Sequence, residues 1–152
     1  MAGRLAIPSI GPKGNVYNIR FRRLGDDGPK YLGLAGFETR LFNSRAVLEG
    51  PDEIHITEGE LDAIVLSQLG LAAVGVCGSN GWKGHHPRLF VGARSVFVWG
   101  DGDDAGKNFS RDVAKSLPNA RVVRVPGGQD VNGIFSSGGE EAIFDLIREK
   151  DE

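Results

Sequence analysis

The rhythm of apolar and polar positions changes near residue 53. Between residues 14 and 36 the alternation is only partial. Val16, Tyr17, Ile19 and Phe21 precede the turn-rich run Gly25-Asp26-Asp27-Gly28-Pro29, and Tyr31-Leu32-Gly33-Leu34 follows it. Short β segments flanking such a turn predict a small hairpin-like unit. Residues 37–53 read as a connection, with one helical turn near Ser44 to Leu48 that closes at Gly50-Pro51. From residue 54 short apolar runs alternate with helical spacing. Ile54 to Thr57 is a strand; Leu61, Ile64, Val65 and Leu69 then share one face of a helix that starts at Glu60 and stops at Gly70. Ala72 to Cys77 predicts a second strand, broken by the glycine-rich loop Gly78 to Gly84, and Ser95 to Trp99 predicts a third. A helix over Ala105 to Leu117 carries Phe109, Val113 and Leu117 at four-residue intervals. Arg121 to Val125 gives a fourth strand, and Glu140 to Arg148 a final helix with Ile143, Leu146 and Ile147 inward. The pattern predicts an α/β fold, a mostly parallel sheet flanked by helices. A small N-terminal β subdomain over residues 1–48 precedes it, and the α/β unit takes residues 49–152.

Composition adds limits. The 152 residues match one compact domain, and 23 glycines suit many tight strand-to-helix turns. The single cysteine, Cys77, excludes an internal disulfide and a cysteine-rich zinc ribbon. No apolar run approaches the ~18 residues of a membrane span. Met1 to Ile10, interrupted by Arg4 and Pro8, is too short for a signal peptide. A cytoplasmic protein with no membrane partner is expected. The net charge of −2 argues against a generic nucleic-acid coat, yet it hides an asymmetry. Residues 1–48 carry eight Lys/Arg against three Asp/Glu, +5, and residues 49–152 carry ten against seventeen, −7. A basic lobe beside an acidic one suits a polyanion on the first and metal ions on the second; incidental surface charge would give the same sums.

In open parallel sheets ligands bind beyond the carboxyl ends of the strands. The first strand is followed by Thr57-Glu58-Gly59-Glu60-Leu61-Asp62, the third by Gly100-Asp101-Gly102-Asp103-Asp104-Ala105-Gly106, and the fourth by Pro126-Gly127-Gly128-Gln129-Asp130. Three strands thus deliver carboxylates to one edge, an arrangement that repulsion opposes unless a cation compensates. Oxygen ligands suit Mg²⁺ or Mn²⁺. Asp101 and Asp103, two apart at a strand end, would point the same way on extended backbone, and Gly102 would permit an unusual backbone angle and the approach of a phosphate. Asp104 is suited to cap or enter the next helix. Gly100 to Lys107 is not a Walker motif, because the glycine spacing is wrong and Asn108 follows the lysine. Cys77, His85 and His86 lack a fourth zinc ligand at sensible spacing; the cysteine reads as a buried strand residue and the histidines as loop residues. The Gly78-Ser79-Asn80-Gly81 loop is either an ordinary glycine-rich loop or a set of backbone N–H groups for phosphate. Trp82 and Trp99 could stack on bases, although Trp99 lies in a strand and reads as core.

These residues resemble a known family. Ile56-Thr57-Glu58-Gly59-Glu60-Leu61-Asp62-Ala63 is similar to the first motif of Toprim domains, a strand followed by Glu-Gly-x-x-Asp. Val98-Trp99-Gly100-Asp101-Gly102-Asp103-Asp104-Ala105-Gly106 resembles the second, Asp-x-Asp with the trailing Ala-Gly typical of primases. Gln129-Asp130-Val131-Asn132 resembles the late acidic motif. The resemblance covers residues 53–135. Arg20-Phe21-Arg22-Arg23-Leu24, followed by Gly28-Pro29-Lys30-Tyr31-Leu32, looks like the basic stretch that precedes Toprim in DnaG-type bacterial and phage primases, and extends the likeness back to residue 14. Gly33-Leu34-Ala35-Gly36 departs from the Asn-Ser-Pro-Glu usual there.

The resemblance implies a primase catalytic core, a nucleotidyltransferase that makes short RNA primers from ribonucleoside triphosphates on single-stranded DNA during replication. It implies Glu58, Asp101 and Asp103 as the catalytic carboxylates and as ligands of two Mg²⁺ or Mn²⁺ ions, with Asp62 as an outer group or additional ligand of the metal site and Asp130 as a further outer acid of it. One ion would assist attack of the primer 3′-hydroxyl and the other stabilise the leaving pyrophosphate. Template or triphosphate would meet Arg20, Arg22, Arg23, Lys30, Ser79, Asn80 and Lys107. Primases of this kind also carry a zinc ribbon and a helicase or helicase-binding domain; neither is in this sequence, so a replicative helicase or a separate zinc-ribbon module is the expected partner. Two alternatives use the same residues differently: a Toprim-type metal-dependent nuclease, and a non-catalytic DNA-binding adaptor.

Overall fold

Two sheets organise the chain in the computed structural model, which describes residues 3–38, 40–78 and 81–149. The first is antiparallel and three-stranded, in the order β1 (Arg4–Ile10), β2 (Val16–Arg23), β3 (Tyr31–Gly33). The second is parallel and four-stranded. It is built from β4 (Glu53–Thr57), β5 (Ala73–Gly75), β6 (Ser95–Trp99) and β7 (Ala120–Val122), in the spatial order β5-β4-β6-β7. Four helices complete the fold: α1 (Arg45–Leu48), α2 (Glu60–Gln68), α3 (Asp104–Lys115) and α4 (Val131–Arg148). A 3₁₀ turn at His86–Phe90 lies between β5 and β6.

β1 has no counterpart in the periodicity reading. Pro8 and Arg4 disguise it, but a proline is tolerated on an edge strand, and β1 pairs only with β2, from Arg4 opposite Arg23 to Ile10 opposite Val16. Ile7 and Ser9 turn inward while their neighbours stay exposed, the period-two signature of a half-buried strand. β2 then pairs with β3 through Arg20–Gly33, Phe21–Leu32 and Arg22–Tyr31, so the turn-rich run closes a true antiparallel pair.

The parallel sheet is covered on both faces, which is why β6 is buried at every position. Ile54, Ile56, Val74, Val76, Val96 and Val98 face one core with Leu41, Ala46, Phe90, Phe109, Val113 and Leu117. On the other face Phe97 and Trp99 pack with Ala63 and Leu66 of α2 and with Val131, Ile134 and Ile143 of α4. Each fully buried Val or Ile contributes roughly 1.5–3 kcal/mol against its exposed state, so this double burial holds the strand ends in place. Phe42 attaches the connection to the sheet, its N–H donating to Gly75 O at 2.9 Å and its carbonyl accepting from Gly75 N at 3.2 Å.

α4 begins at Val131, nine residues before the Glu140 start that apolar spacing predicts. Two helices meet end to end at Gly139, whose φ of 69° and ψ of −163° break the run. The first is rich in Ser and Gly, which weakens its apolar rhythm, and it depends on Asp130 as N-cap, with Gly133 N–H donating to Asp130 Oδ1 at 2.6 Å.

Candidate active site at the carboxyl edge of the sheet

The chain leaves β4 toward β5 on one side and leaves β6 toward β7 on the other. The gap between β4 and β6 is therefore the point where strand order reverses, the place where open α/β sheets bind ligands. Glu58 follows β4 and Asp101 follows β6, so the two carboxylates flank that gap. The Asp101 N–H donates to Glu58 Oε2 at 3.5 Å, a long contact. Thr57 Oγ1 donates to Gly59 O at 2.8 Å and fixes the turn that carries Glu58 into α2.

Glycines hold the second acidic loop by close approach. A Cβ on Gly100 would sit 2.1 Å from Gly106 O, one on Gly106 2.1 Å from Asp101 O, and one on Gly102 1.9 Å from Pro126 O. Gly102 N–H donates to Gln129 O at 2.7 Å, and Gly128 N–H returns to Gly102 O at 3.0 Å. The expectation of an unusual backbone angle at Gly102 is corrected: its φ lies outside the left-handed region. The residue is small because the Pro126–Gln129 loop presses on it. That loop carries Asp130 to the same edge, where Asp101, Asp103, Gln129 and Asp130 border a cavity of about 300 Å³.

The five predicted acidic residues are brought to one edge, but their side chains have different occupations. Asp103, not Asp104, caps α3: its Oδ1 accepts from Gly106 N–H at 2.8 Å. Asp104 enters the helix and pairs with Lys107 Nζ at 3.3 Å. Asp130 caps α4. Asp62 is buried, and its Oδ1 accepts from Asn132 N–H at 3.1 Å, tying α2 to the start of α4. Glu58 and Asp101 keep the freest oxygens. Among the described residues no three Asp, Glu, His or Cys side chains converge tightly enough to form a ready cation cage.

The electrostatics record the crowding. Burial, followed by Glu58, Asp62, Asp130 and Asp103, pushes the Asp101 carboxyl up to about 7. Burial pushes Asp62 up to about 6, opposed by the Asn132 N–H and by Arg22 and reinforced by Asp130. Glu58 is also raised by burial and by Asp103, against the Asp101 N–H and Lys30. Arg22 and Lys30 thus act on the carboxylates from the N-terminal sheet.

The predicted cations divide in two. Arg22 donates from Nη1 to Tyr31 Oη at 3.0 Å, which aims it, and Lys30 is exposed. Arg20 and Arg23 have partners inside the protein. Arg20 forms an ion pair with Glu60, which is 2% exposed, and lies over the Tyr31 ring at 4.4 Å, so it joins the β lobe to the first turn of α2. Arg23 Nη1 donates to the Asp26 and Gly28 carbonyls at 2.7 and 2.5 Å and fastens the turn. Ser79 and Asn80 lie outside the described residues. Of the two histidines only His86 departs from the loop reading: it is buried at the start of the 3₁₀ turn, with Nδ1 accepting from Lys83 N–H at 3.1 Å, while His85 lies exposed in the turn before it. Trp99 is core and donates from Nε1 to His55 Nδ1 at 3.0 Å. Trp82 is half-buried, its Nε1 on Ser116 Oγ at 3.1 Å and its ring beside His86 and Phe90. Tyr31 and Glu60 were the residues that sequence reasoning missed. Glu60 stands inside a recognisable motif as an unremarked position, and only the partner across the lobes gives it a role.

The model of the Toprim-like family matches residues 55–135, more than half of the chain. The chain belongs to the Toprim-like family. This Toprim-like chain is 44% identical over 149 residues to the Gene 57 protein of Mycobacterium phage D29, covering 95% of the chain and 98% of that protein. It is 32% identical over 158 residues to the DNA primase of Pseudomonas aeruginosa, covering 92% of the chain but 24% of the primase. Among solved structures it matches the DnaG catalytic core with a TM-score of 0.78 at 26% identity, over 95% of this chain and 52% of that one. A DnaG primase catalytic domain bound to single-stranded DNA gives 0.79 at 25% identity, over 95% and 51%. The chain is thus a homologue of the DnaG primase catalytic core that spans about a quarter of the bacterial primase and half of the solved core.

Proposed function

We propose that this chain is a primase catalytic core that joins ribonucleotides on a single-stranded DNA template. The observation that carries the reading is the adjacency of Glu58 and Asp101 at the switch point, with Arg22 and Lys30 acting on them from the neighbouring sheet. The donor set fits hard divalent cations: all oxygen, with Asp101 and Asp62 holding protons more tightly than ordinary carboxylates because they are buried and lie beside other acids. An incomplete protein cage suits Mg²⁺, which keeps waters and substrate phosphates in its shell. Glu58 and Asp101 would hold such ions, with Asp103, Asp62 and Asp130 shaping the field around them. Bound there, Mg²⁺ or Mn²⁺ supplies charge stabilisation for nucleotidyl transfer.

The chain's own residues do the rest. Arg22, oriented by Tyr31, offers a planar fork to phosphate oxygens, and Lys30 a mobile point charge. The buried Arg20–Glu60 pair keeps both opposite the acidic edge. The glycine-locked Asp101–Asp103 loop keeps the Asp101 carboxyl at a fixed distance from Glu58, which is the positioning that phosphoryl transfer needs. The reaction balances as attack of a 3′-hydroxyl oxygen on the α-phosphorus and departure of pyrophosphate.

The test is primer synthesis from labelled ribonucleoside triphosphates on single-stranded DNA with Mg²⁺ or Mn²⁺. Oligoribonucleotides from the wild type, reduced at least a hundredfold in Asp101→Ala, support the reading. Metal-dependent cleavage of the DNA without synthesis would replace it with a nuclease. DNA binding unaffected by Asp101→Ala, with no turnover in either protein, would replace it with an adaptor.

A further inference from the structure

A second groove starts at Asp101 and runs away from the carboxylates, between α3 and the outer strand β7. Its volume is about 590 Å³. The floor is made of small and apolar groups, including Gly100, Ala114 and Val123, and the rim is cationic. Lys107, Arg111 and Lys115 recur every four residues along α3, so they form one row about 12 Å long with a cation at each turn. Arg124 stands on the β7 side, exposed like the three lysine and arginine residues opposite it. Lys107 contacts Asp104 at 3.3 Å, and that carboxylate is almost fully exposed; Arg111 bonds the neutral Asn108. Asp101 itself is the single acid on the groove wall.

We propose that this groove is a track for one nucleic-acid strand, its phosphates on Lys107, Arg111, Lys115 and Arg124 and one end at Asp101. Four cations against Asp101 on the wall and the exposed Asp104 beside Lys107, in a region whose overall charge is negative, select a polyanion. A cation row with one charge per helical turn suits an extended strand with successive phosphates, and the shallow apolar floor accepts the flat faces of bases or sugars. β7 is the open edge of the sheet. The inference rests on the reading of Asp101 as the reacting edge, but it does not require that the chain polymerise.

The experiment measures binding of fluorescent oligodeoxythymidylate by anisotropy at several salt concentrations. It compares the wild type with Arg111→Gln/Lys115→Gln/Arg124→Gln and with a control, Lys13→Gln/Arg45→Gln/Arg88→Gln, that removes equal charge elsewhere. The groove variant should bind about tenfold or more weakly at low salt, and its dependence of log affinity on log salt should flatten by about 2, at roughly 0.7 per phosphate contact. Arg111→Gln and Arg124→Gln alone should each flatten it by about 0.7, which reads the contact even if the triple variant folds poorly. Wild-type affinity and slope in the groove variants, or an equal loss in the control, would overturn the track. Binding through the groove with no nucleotide joining would leave the track standing and remove the proposed function. Nucleotide joining with an inert groove would do the reverse.

Discussion

At Asp101 burial and four neighbouring carboxylates act in one direction, and the carboxyl holds its proton to about pH 7. Asp62 does the same to about 6. An acid whose folded pKa lies above its unfolded value binds more protons in the folded state. Its stabilising contribution is therefore present at low pH and lost as pH rises through the folded pKa. These two groups favour the metal-free fold at pH 5 over pH 8, while His55 and His86, whose imidazoles burial pushes down to about 4, favour it at the higher pH. Comparison of two proteins isolates the acid: Asp101→Asn should raise the melting temperature at pH 8 by about 5 °C and change it little at pH 5. Added Mg²⁺ should raise the wild-type melting temperature at pH 8 and have little effect at pH 5, where the carboxyls are protonated. An Asp101→Asn protein whose melting temperature shifts equally at pH 5 and pH 8 would contradict the crowding. The sequence displays these residues well, because Glu58 and Asp101 stand within two residues of a strand end and Asp130 ends the loop after the last strand. It does not display how their oxygens are spent. Asp103 and Asp130 differ from Asp101 only in that a backbone N–H three residues on lies within reach, and that depends on where each helix starts.

Among the elements, the joints between pieces decide the site. Glu60 is almost wholly buried and is neutralised by Arg20 from the other sheet. Removing one partner of a buried pair leaves a charge without compensation, at a cost of about 3–5 kcal/mol. Arg20→Met should lower stability by that order in urea titration, and Glu60→Gln in the same chain should restore much of it. An Arg20→Met protein as stable as wild type would show that the pair does not join the lobes. The loop after β6 is held by contact. Gly102→Ala would drive a methyl into Pro126 O and force the Pro126–Gln129 loop away, so it should cost about 1–3 kcal/mol and weaken Mg²⁺ binding in calorimetry. Unchanged Mg²⁺ affinity would separate that loop from the site. The strands and helices of the parallel sheet are legible from period and punctuation because each has a continuous or four-residue apolar pattern. β1 and the first half of α4 are not. One is an edge strand that carries Pro8, and the other is held by a cap and by contacts from α2 rather than by its own Ser/Gly-rich sequence.

On the scale of the whole molecule, the basic N-terminal segment forms the antiparallel sheet and the acidic remainder the parallel one, and the Arg20–Glu60 pair joins them. The +5 and −7 of the two segments are thus not spread evenly over one surface. Arg22 and Lys30 lie opposite the carboxylates, and the α3 row restores positive charge beyond them. The charge division is visible in composition. Which cations face outward is not, since Arg20, Arg22 and Arg23 are near neighbours on one strand and only the fold gives them separate partners. The most direct test of the central claim avoids initiation and any partner that selects the template. A short RNA annealed to a DNA template is supplied with the next templated ribonucleoside triphosphate and Mg²⁺ or Mn²⁺, and single-nucleotide extension is followed on a gel. The account predicts templated addition by the wild type, lost in Glu58→Gln and Asp101→Asn and weakened in Arg22→Gln/Lys30→Gln. Extension that survives Glu58→Gln and Asp101→Asn at the wild-type rate would contradict it.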